Sequence, residues 1–178
     1  MTNLELCQNI LKSQKNDHTK VKVIDSNKGG YYSYLTDSIY IPEKKYENSV
    51  KNLVILCHEC IHSTQSKSIH TLNVILSNLE LIVFLCAIIS VVYNLLVGVS
   101  IPLYLFICVI SIIFRCVLEI PAMVDSFNLA KKFCNNSELD AVCEAQKQAK
   151  KKLFLGVLSF CWGRLFRTII VIVLYVLM

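Results

Sequence analysis

His58-Glu59-Cys60-Ile61-His62 is an intact H-E-x-x-H, a run whose residue types and spacing together propose a reaction. On a helix, side chains four apart share a face, so both imidazoles can point at one metal ion. The glutamate between them can then sit beside a metal-bound water as general base, which is the arrangement of zinc-activated hydrolysis. The plainer reading is a surface helix with two solvated histidines. Val50 to Cys57 contains neither Gly nor Pro, and the pattern predicts that the motif helix begins near Glu47–Ser49. Cys57 and Cys60 overlay a C-x-x-C on the motif. No second C-x-x-C completes a four-ligand site, and two turns of one helix cannot turn Cys57, His58, Cys60 and His62 onto one ion.

The elements that must position this motif read as follows. Residues 3–13 place apolar groups at near-helical period and predict a short amphipathic helix. Residues 21–24 predict a strand closed by a turn cluster at 25–30, and residues 31–35 and 38–41 predict two more strands, the last ending at Pro42. A small sheet beside a zinc helix suits a peptidase, because an edge strand can align an extended peptide. The tyrosines of this sheet are read as packing residues rather than ligands.

Composition sets the wider frame. With 54% hydrophobic residues and a mean hydropathy of +0.53, the chain of 178 residues is too apolar for an ordinary soluble protein. The apolar residues are concentrated. Residues 1–70 hold nine Lys and seven acidic groups, whereas 81–99 is a run of nineteen residues without a charge, long enough to cross a hydrocarbon core. Gly98, Ser100 and Pro102 predict a tight turn, followed by a second span at 103–118 with Arg115 near its end. A third apolar stretch, 153–178, carries Arg164 and Arg167, which leaves two readings. Either residues 153–163 lie along the interface with the remainder too short to cross fully, or the arginines face inward, toward Glu80, Glu119 or the active site. Structural pairing is favoured over a catalytic role. Of the nine cysteines, Cys86, Cys108, Cys116 and Cys161 fall in apolar spans and read as small hydrophobic residues in a reduced or lipid setting.

Counting crossings links the motif to a distant segment. The short link between the first two spans makes them a hairpin, so the motif and residues 119–125 emerge on the same side. Six lysines against three acidic groups between 131 and 152 mark that side as cytoplasmic. If the third span crosses fully, the C-terminus lies outside. A hydrolytic zinc site needs three protein ligands and an open position. The acids near the end of the second span are Glu119 and Asp125, about 240° apart around an ideal helix, so both would share a face only if Pro121 distorts it.

Most of the chain resembles the bacterial membrane-bound neutral zinc metallopeptidases of the YugP type. The resemblance rests on the N-terminal helix and short strands, and on His58-Glu59-Cys60-Ile61-His62-Ser63-Thr64-Gln65, where that family has H-E-x-x-H followed by x-x-Q. It continues through the hairpin to Leu118-Glu119-Ile120-Pro121-Ala122-Met123-Val124-Asp125-Ser126, where the family reads L-P-V-E-F-D-A-S, and ends in a Lys-rich helix and an apolar helix with an embedded arginine. It implies a zinc-dependent membrane peptidase with His58 and His62 as ligands and Glu59 as base. The family's first membrane helix and its D-H-Y-D-P-like segment have no counterpart here. Its glutamate is replaced by Met123, while Asp125 keeps its position and is the first choice for third ligand. Glu119, one helical turn before Met123, is the compensating choice.

The expected fold is mainly α with a small β-sheet. A zincin-like H-E-x-x-H helix lies beside short strands in residues 1–68, fused to about three membrane helices in 69–178 with a cytoplasmic helical segment at 121–152. The expected function is that of a zinc endopeptidase of the cytoplasmic membrane, its site facing the cytoplasm, with a peptide or protein substrate and membrane lipid as partners. The alternative is a catalytically inactive relative that binds a protein partner. An intramembrane protease is disfavoured by Lys51, Asn52, Gln65 and Lys67 flanking the motif, and nucleic-acid binding by the position of the basic cluster beside membrane spans.

Overall fold

The computed structural model describes residues 2–24, 30–42, 50–151 and 153–177. It is mainly helical with one small sheet, in the order α1 (Asn3–Ser13), β1 (Lys20–Ile24), β2 (Tyr31–Ser33), β3 (Ser38–Pro42), α2 (Val50–Thr64), α3 (Lys67–Val92), α4 (Val97–Phe133), α5 (Asn136–Lys151) and α6 (Leu153–Leu177). The expected start of the motif helix at 47–49 and most of the turn cluster at 25–30 lie outside the described residues. Two compact units emerge: Met1–Lys67 with Leu118–Leu153, and Ser68–Val117 with Phe154–Met178. The segment after the second span therefore returns to the N-terminal unit instead of joining the apolar one.

In the first unit, α1 opens with a capping box. The Glu5 N–H donates to Thr2 Oγ1 at 3.2 Å and the Thr2 N–H donates to Glu5 Oε2 at 2.8 Å, so two otherwise orphaned donors are satisfied. The apolar face of α1 (Leu6, Cys7, Ile10, Leu11) meets Ile39 and Ile41 of β3, Leu53, Leu56, Cys57 and Cys60 of α2, Leu129 and Ala130 of α4, and Val142 of α5. The sheet order is β1-β3-β2, with β1 parallel and β2 antiparallel to β3, so β2 is an edge strand. Gly30 leads into that strand because a Cβ there would stand 2.8 Å from the Tyr40 carbonyl oxygen. Tyr31 stacks on Tyr40 with ring centroids 4.9 Å apart, a cross-strand pair that fixes the β2–β3 register.

In the second unit, α3 and α4 are long and apolar enough to cross a membrane. The hairpin between them turns at Tyr93–Leu96, where Asn94 and Leu96 adopt left-handed backbones with φ of 51° and 52°. This corrects the turn expected at Gly98–Pro102, since those residues lie inside α4. A proline five residues past the start of a helix forfeits only one N–H bond, so Pro102 is accommodated in the second turn of α4. Asn94, among the residues that tolerate the left-handed region best, was the better signal.

The arginines of α6 find their partners within this unit. Glu80, fully buried, accepts from Arg167 Nε at 3.0 Å and from Arg167 Nη2 at 2.7 Å. Arg164 donates to Ser77 Oγ at 2.8 Å and to Ser111 Oγ at 2.9 Å, with its Nε 3.5 Å from Glu80. The other side of α6 exposes Phe166, Ile169, Ile172, Val173 and Val176. The polar groups of α6 thus turn inward and its apolar groups outward, the reverse of a helix that faces water. Glu80→Ala leaves two guanidinium groups without their carboxylate and is expected to cost about 3–5 kcal/mol. Replacing Glu80 and Arg167 together by leucine is expected to cost less than the single change, as measured by unfolding the full chain in detergent.

Candidate metal centre

α2 presents His58 and His62 on one face and its cysteines on another. Cys57 and Cys60 are fully buried in the core, and Cys60 Sγ lies 3.6 Å from Cys7 Sγ. Burial, with Cys7 and Cys134 nearby, pushes the Cys57 thiol up to about 12, and contact with Cys7 together with burial raises Cys60 well above the usual thiol range. Both stay protonated and face away from the imidazoles, so the C-x-x-C is part of the packing.

The imidazoles converge on Glu119. His58 Nε2 and His62 Nε2 are 3.1 Å apart, and Glu119 Oε2 lies 3.4 Å from the first and 3.5 Å from the second. Ligand atoms about 2.0–2.1 Å from a tetrahedral zinc stand about 3.3 Å from one another, so these three atoms form one face of such a tetrahedron and leave the fourth corner open. Among the described residues this is the group of His, Cys, Asp and Glu side chains arranged to hold a metal ion. The donor set, two imidazole nitrogens and one carboxylate oxygen, matches a hydrolytic zinc site.

Asp125, the first choice from the sequence, is not in the group. It lies six residues beyond Glu119, about 240° around α4, and is exposed. Its rival Glu119 is 5% exposed and supplies the carboxylate of the group that could hold an ion. α4 continues as helix through Pro121, so no break brings the two carboxylates onto one face.

Gln65 joins the two ligand-bearing helices. His62 Nδ1 lies 2.7 Å from Gln65 Oε1, and Gln65 Nε2 donates to the Leu118 carbonyl at 2.7 Å, next to Glu119. With Nδ1–H donating to the amide, the His62 Nε2 lone pair is directed at the metal position. Pro121 has no N–H to offer the preceding turn, and within that turn the Leu118 carbonyl accepts the side-chain bond. Burial alone would lower the pKa of His62, but the contacts with Glu119 and Gln65 outweigh it and the net shift is upward.

Glu59 projects toward the sheet. Its Oε2 accepts the main-chain N–H of Tyr32 in edge strand β2 at 2.7 Å. Burial raises its pKa above the usual carboxylate range, against the lowering pull of His58, His62 and the Tyr32 N–H. A raised carboxylate is a stronger proton acceptor, as a general base requires. The sequence signalled Gln65 through its spacing of three from His62. It carried no sign of the Tyr32 contact, which comes from a backbone N–H that every residue but proline offers.

Scans against protein-family models, curated proteins and solved structures found no match to this chain.

His58→Ala, His62→Ala and Glu119→Ala should each abolish stoichiometric zinc binding to the purified full chain, whereas Asp125→Ala should retain it. Gln65→Ala should weaken zinc by about 10–100-fold. A metal must displace the proton from His62, and the raised pKa means that competition begins above the ordinary histidine value of 6.5. Zinc affinity measured by calorimetry should therefore fall as pH is lowered through neutrality.

Proposed function

We propose that this chain is a membrane-anchored zinc-dependent endopeptidase that cleaves peptide bonds at the cytoplasmic face of the membrane. The observation that carries the reading is the triangle of His58, His62 and Glu119 ligand atoms, with Glu59 hydrogen-bonded at the adjacent edge strand. Zinc at this position would supply Lewis acidity toward a substrate carbonyl and would lower the pKa of a bound water to about 7. Glu59 would be the residue to accept a proton from the attacking water as its oxygen bonds to the carbonyl carbon, and to return that proton to the leaving nitrogen as the C–N bond breaks. The resemblance to neutral zinc metallopeptidases of the YugP type points the same way, with Glu119 serving where the family pattern suggested Asp125.

Support for anchoring comes from α3 and α4, which are long and apolar enough to cross a membrane and expose many apolar side chains. We read α6 as a third crossing, because its arginines are paired within the apolar unit and its outward side is apolar. The excess of lysine over acidic residues in 131–152 supports reading the side that carries this segment as cytoplasmic.

The test is zinc content and cleavage of a peptide library by the full chain in detergent. Zinc near one equivalent and cleavage abolished by a chelator are expected, with Glu59→Gln lowering kcat by about 10²–10⁴ while zinc is kept. A chain that carries no zinc with both histidines intact would overturn the proposal. Zinc-loaded protein whose cleavage is indifferent to Glu59→Gln would do the same.

A further inference from the structure

β2 is three residues long and is paired on one side only, yet it presents the N–H that grips Glu59. In an antiparallel pair, alternate residues turn their N–H groups away from the partner strand. Tyr32, opposite Ile39, is such a residue, since its N–H donates to Glu59. Pairing of the flanking residues Tyr31 and Ser33 with β3 turns this donor outward through the planar peptide, and the Tyr32 side chain supplies a second hold on the strand. Its hydroxyl donates to Asp37 Oδ1 at 3.1 Å.

Asp37 is held from several directions. Lys67 Nζ donates to its Oδ2 at 2.8 Å and Thr19 Oγ1 lies 2.9 Å from its Oδ1. The Lys20 N–H donates to its carbonyl at 3.0 Å, and its backbone is left-handed with φ of 45°. Thr19 is also 3.0 Å from Asn16 Oδ1, and buried Asn16 donates through Nδ2 to Ser63 Oγ at 2.8 Å. Ser63 is four residues beyond Glu59 on α2. A ring of side-chain and main-chain contacts thus leaves α2 at Glu59, passes through Tyr32, Asp37, Thr19 and Asn16, and returns to α2 at Ser63.

We propose that Asp37 is a positioning residue for the general base: by closing this ring it fixes Tyr32, whose peptide N–H anchors Glu59 Oε2 and leaves Oε1 to take the proton from water. This inference rests on the peptidase reading for its kinetic consequence, and on geometry alone for the contact itself. Asp37 touches no reacting atom. Its effect passes through a short edge strand that is hydrogen-bonded on one side and packed through Tyr32 on the core, and a small misplacement of a catalytic group is costly in rate.

The test uses Tyr32→Phe, which removes only the donor to Asp37, and Asp37→Gly, which removes the acceptor where glycine accepts the left-handed backbone without strain. Amide hydrogen exchange resolved at Tyr32 in the full-length detergent-solubilised protein reads the clamp directly, whether or not a substrate is cleaved. A slowly exchanging Tyr32 amide is expected in the parent, accelerated about tenfold in each variant and in Glu59→Ala. On the peptide library, each of the first two variants should lower kcat about tenfold with KM and zinc content within about twofold of the parent. The double variant should be no slower than the worse single one, because both changes remove one contact. Unchanged exchange at Tyr32 in both variants, or multiplying kinetic losses in the double variant, overturns the clamp. If the parent cleaves nothing, the peptidase reading falls and the exchange data alone judge the contact.

Discussion

A carboxylate buried as deeply as Glu119 is costly unless positive charge or hydrogen-bond donors meet it. Two imidazole nitrogens within 3.5 Å can supply that partner, as N–H donors or through an ion that all three share. This requirement organises the first unit. α2 must turn its histidines toward α4, so its cysteines go to the opposite side and become core. α4 must present residue 119, so residue 125 falls to the surface. The apolar cluster that joins α1, β3, α2, α4 and α5 holds the ligands in these directions by packing.

Much of this was legible in the residues. The histidine spacing named the two nitrogen ligands because helix geometry is local, and the apolar periods located α1, the strands and the long helices. The third ligand was harder. Glu119 and Asp125 lie on one helix with opposite outlooks, and nothing in their spacing says which side of that helix will meet α2. Family pattern favoured Asp125; burial decides for Glu119. The turn between α3 and α4 was displaced for a related reason, since Gly and Pro outweighed a single Asn as turn signals, yet Asn94 takes the left-handed backbone.

The boundary between polar and apolar parts was read in part. The sequence reading expects a polar helical segment at 121–152 emerging on the motif's side, and in the folded chain Leu118–Leu153 belongs with the N-terminal elements. Which residues of that segment enter the core, Leu129, Ala130 and Val142 among them, comes only from the tertiary contacts. The arginines of α6 were flagged by their type alone, because an unpaired guanidinium in an apolar helix is expensive. Their partners Ser77, Glu80 and Ser111 come from two other helices. Glu80 takes Arg167 in a bidentate pair and also stands 3.5 Å from Arg164, whose remaining donors meet the two hydroxyls.

Gln65 has a meaning beyond support for one histidine. Its amide offers an acceptor at one end and a donor at the other, and the two ends are satisfied by different helices, the ring nitrogen of His62 and the main chain at Leu118. A carboxylate could meet only the first and an ammonium only the second. The side chain therefore ties α2 to α4 at a fixed height. The contact that aligns the His62 ring is shared with the residue next to Glu119, so the orientation of the imidazole and the placing of the carboxylate beside it depend on one and the same side chain.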